Sequence, residues 1–229
     1  MLIRVTGLLC LSLLASSSER TYTPVTSPDI LHAGLESNLE FVRQWLKDGD
    51  FKSAVQSAQS LDALAHLYAH QSSDAQWRAQ TKRLRALTAR LLDFCLRKDK
   101  AKANEARVAL TKELKSLRNA TLKKREGVKD YRPRGSTKTW MLLMDGAYSD
   151  GKFAEDGKDM ARYVREVAEE ANALRFLRGG EDWNKLATGV RDVALEVATK
   201  IESKSSKEAK PVLKKIYQRC KACHDHYRR

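Results

Sequence analysis

Apolar residues recur at three- and four-residue steps along most of this chain, and that spacing most constrains how it can fold. Trp183, Leu186, Val190, Val193, Val197 and Ile201 form a 3.6-residue stripe, the pattern of an α-helix with one buried face. A second stripe runs through Trp77, Leu84, Leu87, Leu91 and Cys95. Only four prolines and eleven glycines interrupt 229 residues, so long helices meet few breakers. Apolar residues make up 42% and charged residues 31%, a balance suited to amphipathic helix, and an all-α fold is expected.

The stripes belong to an internal repeat. Asp48-Gly49-Asp50-Phe51 recurs as Asp150-Gly151-Lys152-Phe153, and each copy is read as opening a helix. A tryptophan follows in a polar turn, first in Asp74-Ala75-Gln76-Trp77 and then in Glu181-Asp182-Trp183. In the last helix of each half, Leu110, Leu114 and Leu117 match Leu213, Tyr217 and Cys220. The same register sets Ala120 against Cys223 and Thr121 against His224. Helices are predicted over 28–47, 51–70, 74–98 and 101–124, then over 136–149, 151–177, 181–202 and 207–227. Short connections imply antiparallel neighbours, so two tandem up-down-up-down four-helix bundles are expected, 28–124 and 136–229. Residues 125–135, with their charges, Pro133 and Gly135, read as the linker.

The first 17 residues read differently. Arg4, an apolar stretch from Val5 to Ala15, and small residues at Ala15 and Ser17 match a cleaved export signal. Cys10 lacks the small residue expected just ahead of a lipoprotein cysteine. Cleavage would leave Cys95, Cys220 and Cys223 in an exported, periplasmic protein. Cys95 lies in an apolar run and reads as a buried small hydrophobe.

The chemistry gathers near the C-terminus, in Cys220-Lys221-Ala222-Cys223-His224. Two thiols one helical turn apart can each add to a vinyl group of one porphyrin, and the adjacent histidine then offers a nitrogen to the iron. One covalent haem c is expected. Structural zinc would need a second ligand pair, and a thioredoxin-like motif would need a βαβ context. Among other histidines, His226 is two residues from His224 and points elsewhere on the same helix. His66 and His70 sit four apart without a third ligand at suitable spacing, and read as solvent-facing; His32 completes the set.

The C-terminal half resembles the cytochrome c′ group, exported bacterial four-helix bundles whose haem attaches near the C-terminus. The match is carried by Cys220-Lys221-Ala222-Cys223-His224-Asp225-x-Tyr227-Arg228 on the last helix and by Trp183 opening the third. It covers roughly 136–229, and the N-terminal half joins it only through the repeat, as a degenerate haemless copy. The resemblance implies that Cys220 and Cys223 form the thioethers, His224 is the proximal iron ligand and Arg228 sits beside its imidazole. It also implies that the iron's other face looks toward the helix containing Trp140-Met141-Leu142-Leu143-Met144. Met141 is the first candidate distal iron ligand and Met144 the second. A thioether there supports a six-coordinate haem of raised potential, suited to electron transfer. An apolar residue there leaves the iron open to NO or CO. The expected function is a monohaem electron carrier. A gas binder or sensor is the alternative, and a partner-docking protein with an accessory haem the second. Homodimers are common in the group.

The formal net charge is +14, with basic residues concentrated on the haem helix from Lys204 through Lys207, Lys210, Lys214 and Lys215 to Arg229. Such a patch can steer an acidic redox partner, and can equally be a solvated face. Nucleic acid is not an expected partner for an exported protein. No Gly-rich phosphate loop or nucleophile–base pair stands out, so an enzyme is not the expectation, although haem peroxidase chemistry is left open.

Overall fold

A computed structural model describes residues 21–118 and 127–227. Residues 1–17, expected to be an export signal, and Ala120, Thr121 and Arg228 lie outside the described residues. The described chain is all-helical: α1 Pro28–Asp48, α2 Phe51–Ala69, α3 Ala75–Leu96, α4 Lys100–Leu117, α5 Thr137–Phe153, α6 Gly157–Leu174, α7 Glu181–Ile201 and α8 Ser206–Tyr227. Extended pairing among the described residues is limited to two isolated bridges, Tyr22 with Val128 and Asp156 with Ser205.

Each helix follows from its apolar stripe and its caps. Asp50, Asp74, Asp99, Ser136 and Asp156 accept a hydrogen bond from the backbone N–H three residues on, satisfying a donor that the first turn leaves orphaned. Around the first four helices, α1 packs on α2, α2 on α3, α3 on α4, and α4 back on α1. The second four repeat three of these contacts, α5 on α6, α6 on α7 and α7 on α8, whereas the α5–α8 edge stays open.

The two tryptophans of the repeat occupy equivalent places. Trp77 Nε1 donates to the Tyr68 carbonyl at 3.1 Å, and Trp183 Nε1 donates to the Leu174 carbonyl at 2.8 Å. Each indole reaches nine residues back and adds a second donor to a carbonyl near the end of the preceding helix, with its ring in the core.

The Asp-Gly-x-Phe copies do not behave alike. Gly49 adopts a left-handed φ of 76° that ends α1, and Asp50 then caps α2. In the second copy Lys152 stands at the capping position and cannot accept that hydrogen bond. Consequently α5 runs on through Asp150-Gly151 to Phe153, and α6 starts at Gly157 under Asp156, not at 151 as expected.

The halves share a continuous apolar core, with α1 against α6 and α2 against α5. The connecting segment is packed into this junction, burying Val128 and Tyr131. Tyr131 stacks on Tyr22, with ring centroids 4.4 Å apart. It also meets His66 and His70, which corrects their reading as solvent-facing. His66 Nε2 bonds the Arg132 carbonyl at 2.9 Å, and His70 Nδ1 bonds the His66 carbonyl at 2.7 Å. Burial, followed by the charges of His70 and Arg85, pulls the His66 pKa down to about 3, so its ring is neutral at physiological pH.

Candidate functional site

The open α5–α8 edge is a cleft of about 1390 Å³. That exceeds the ~300–1,000 Å³ of most small-molecule sites. Its walls are one face of α5, carrying Met141, Met144, Tyr148 and Lys152, and one face of α8, running from Lys207 to Asp225. Leu174, Ala187 and Val190 form part of its lining from α6 and α7.

The corresponding edge of the first half is closed, and particular residues account for the difference. Leu114 is 2% exposed where α4 meets α1, whereas its partner in the repeat, Tyr217, is 59% exposed. Phe153, at the end of α5, is 82% exposed. Two large aromatic rings left in water beside an apolar cleft are costly, at roughly 25 cal/mol per Å² of unburied apolar surface. The second half therefore keeps open a seam that its sister copy fills with leucine.

Helical geometry brings the predicted site residues together. Cys220, Cys223 and His224 lie at i, i+3 and i+4 on α8, hence on one face, and all three line the cleft. Both cysteines are free thiols. Burial, then the neighbouring Cys223 and Asp145, pushes the Cys220 pKa up to about 11, and burial raises Cys223 as well. Both are therefore protonated at neutral pH rather than reactive thiolates. Cys95 is fully buried in the first half, away from the cleft lining.

Met141 and Met144 line the opposite wall. They stand toward the Cys220–His224 end because α5 and α8 run antiparallel, as the far ends show: Ser206 Oγ donates to the Ala154 carbonyl at 3.1 Å. Met144 is buried and Met141 half-buried. Asp145 and Tyr148 share this wall near Cys220. These two, with Tyr217, were not singled out in the sequence. The signal for Tyr217 was its match to a core leucine.

The remaining histidines do not join the site. His32 is buried and bonds the Leu114 carbonyl at 2.9 Å, His66 and His70 belong to the junction, and His226 does not line the cleft. Among the described residues no group of three or more His, Cys, Asp or Glu could hold a metal ion by itself. An iron here would need a macrocycle to supply its other ligands. No described helix is long and apolar enough to cross a membrane. No family model, curated protein or solved structure matches the chain.

Proposed function

We propose that this protein is a monohaem c-type cytochrome of the cytochrome c′ kind that carries single electrons outside the cytoplasm. It is built as two tandem four-helix bundles, of which the second alone takes haem. The observation that carries the reading is the cleft. It is an unclosed bundle seam with both motif thiols, the motif histidine and two methionines at one end.

The residues present fit the group. Cys220 and Cys223 would hold haem c through thioethers, and His224 would ligate the iron from α8. Met141 or Met144 would approach from α5. Bound there, haem supplies a one-electron ferric/ferrous couple. The apolar side chains of Leu174, Ala187 and Val190 would exclude water from the ring. The basic face of α8 suits an acidic redox partner. Arg228 keeps its implied place beside the proximal imidazole as part of the same proposal.

The test is the optical spectrum of the full chain made with cytochrome maturation machinery. A low-spin form with a Met-to-iron charge-transfer band, unmoved by CO, is expected. Met141→Leu or Met144→Leu should convert it to a high-spin form that binds CO, identifying the ligand. A wild-type protein that binds CO directly would replace electron transfer with gas binding. Cys220→Ala with Cys223→Ala should abolish covalent haem, and haem persisting through denaturation would refute the attachment.

A further inference from the structure

The end of the cleft away from the cysteines carries a different chemistry. Ser206 Oγ donates to the Ala154 carbonyl at 3.1 Å, which sets Phe153 beside the first turn of α8. From there Lys207, Lys210, Lys214 and Tyr217 follow at i, i+3, i+7 and i+10, along the face of α8 that lines the cleft. Lys152 joins this lysine end from α5. Of the large apolar side chains left exposed among the described residues, Phe153 and Tyr217 are the two most exposed. They stand at opposite ends of the lysine stripe, about 15 Å apart along α8.

The charge of the stripe is not spent inside the protein. Lys215 pairs with Glu196 at 3.6 Å and Lys221 with Asp225 at 2.6 Å. Among the described residues Lys207, Lys210 and Lys214 have no ion-pair partner. Two carboxylates at this end are committed to helix starts. Asp156 accepts from Asp159 N at 2.8 Å, and Glu208 accepts from Ser205 N at 3.1 Å and Ser205 Oγ at 2.6 Å. Glu155, exposed in the same turn as Asp156, subtracts one charge. Along α8 as a whole, six lysines and arginines stand against Glu208 and Asp225 alone.

The residue types select the occupant. Protein interfaces favour arginine over lysine and gather their aromatic rings into one buried centre. Here the cations are lysines, and they separate the two rings. A bilayer surface accepts that arrangement, because each ring can enter the headgroup layer by itself while each ammonium meets a lipid phosphate. We infer that the lysine stripe of α8 and the end of α5 dock on an anionic membrane surface, with Phe153 and Tyr217 in the headgroup layer. The docking is peripheral and needs no haem. Lys215 and Arg219 lie on other sides of α8, so the acidic redox partner proposed above keeps cations of its own.

Vesicle co-sedimentation tests the inference on a chain from Ser18 onward. That chain keeps every described residue and removes the apolar stretch 5–15, which would hold vesicles by itself. Mixed phosphatidylglycerol–phosphatidylcholine vesicles should bind roughly tenfold or more tightly than phosphatidylcholine alone, with the difference shrinking as salt rises. Equal binding to the two overturns the inference. Lys207→Gln/Lys210→Gln/Lys214→Gln should weaken binding on the order of a hundredfold. Lys207→Arg/Lys210→Arg/Lys214→Arg should retain it and so exclude misfolding. Lys52→Gln/Lys82→Gln/Lys112→Gln removes the same charge from exposed positions of the first half. A loss as large as that of the stripe variant would mean that net charge alone binds, and the docking face falls. Phe153→Ser should weaken binding roughly tenfold. Phe153→Trp should show quenching by brominated phosphatidylglycerol beyond that of the wild-type tryptophans, and equal quenching would leave the ring outside the bilayer and overturn its placement. If both kinds of vesicle are ignored while polyglutamate binds and is lost in the stripe variant, the occupant is an acidic protein and the membrane assignment is wrong. Since no readout uses haem, failure here leaves the cytochrome reading standing, and a chain without covalent haem leaves the docking face standing.

Discussion

Glu166, Glu169 and Glu170 sit on α6 at 4%, 0% and 0% exposure, and their environments divide them into two kinds. Glu169 is saturated: Tyr22 Oη donates to it at 2.5 Å, Thr26 N at 2.7 Å, and Val25 N and Thr26 Oγ1 each at 2.9 Å. Among the described residues Glu170 has no hydrogen-bond partner on either oxygen. Burial, then the charges of Glu166 and Glu169, raises its carboxyl well above the usual range and keeps it neutral. Burial likewise raises Glu166 to about 8, with Arg162 opposing and Asp150 adding. A raised carboxyl means that the folded state holds a proton the unfolded state has released. Stability attributable to Glu166 is therefore full below about pH 4.3 and is lost as pH rises toward 8. Each unit of such a shift is worth about 1.4 kcal/mol. Glu166→Gln should accordingly match wild type near pH 4.5 and exceed its stability at pH 8, read by urea unfolding. Parallel pH profiles for the two proteins would refute this account. None of these carboxyls was legible in the sequence. A charged residue on a helix is usually solvated, and only the second layer of packing over α6 reverses that prior. That Cys220, Cys223 and His224 share one face of α8 was legible because their spacing is local.

The element scale shows where local reading succeeds and where it stops. The α7 stripe and both tryptophan anchors were readable because periodicity reports burial of one face. The α5–α6 boundary was not, because a capping exchange at one position, Lys152 for Asp50, outweighs a shared Asp-Gly. The real turn is held from another part of the chain. Gly157 N donates to the Lys204 carbonyl at 3.0 Å, and Asp156 bridges Ser205, tying the start of α6 to the α7–α8 connection. A methyl group at Gly157 would stand 2.1 Å from the Ile201 carbonyl oxygen and 2.2 Å from that of Lys204. Both obstacles are backbone, so neither can swing aside. Gly157→Ala should cost about 3 kcal/mol, at the upper end for overpacking, and should loosen the lysine end of the cleft. Thermal unfolding checks the cost, with Gly179→Ala as a control that meets open space. Equal melting temperatures for the two variants would mean that the turn yields freely.

At the scale of the molecule, two four-helix units repeated in sequence would suggest two bodies that fold alone, and the packing argues otherwise. The residues that saturate Glu169 come from the segment preceding α1, and Gly34 of α1 admits the Glu166 carboxyl that any larger residue would meet. Tyr131 of the connecting segment stacks between Tyr22 and the His66–His70 pair. The first half thus covers the buried Glu166 and Glu169 of the second, a structural role. A hydrogen bond contributes about 0.5–1.5 kcal/mol net, and Glu169 alone accepts four of them within 2.9 Å. Their loss would approach the low end of the ~5–15 kcal/mol net stability of a whole domain. The full chain should therefore unfold in one cooperative transition. A chain of residues 127–229 should fail to reach a cooperative melt, because removing its partner exposes Glu166 and Glu169 together. Circular dichroism of both proteins over a thermal ramp makes the comparison. If the fragment melts cooperatively within a few degrees of the full chain, the halves are independent bodies and the junction is merely a contact between them.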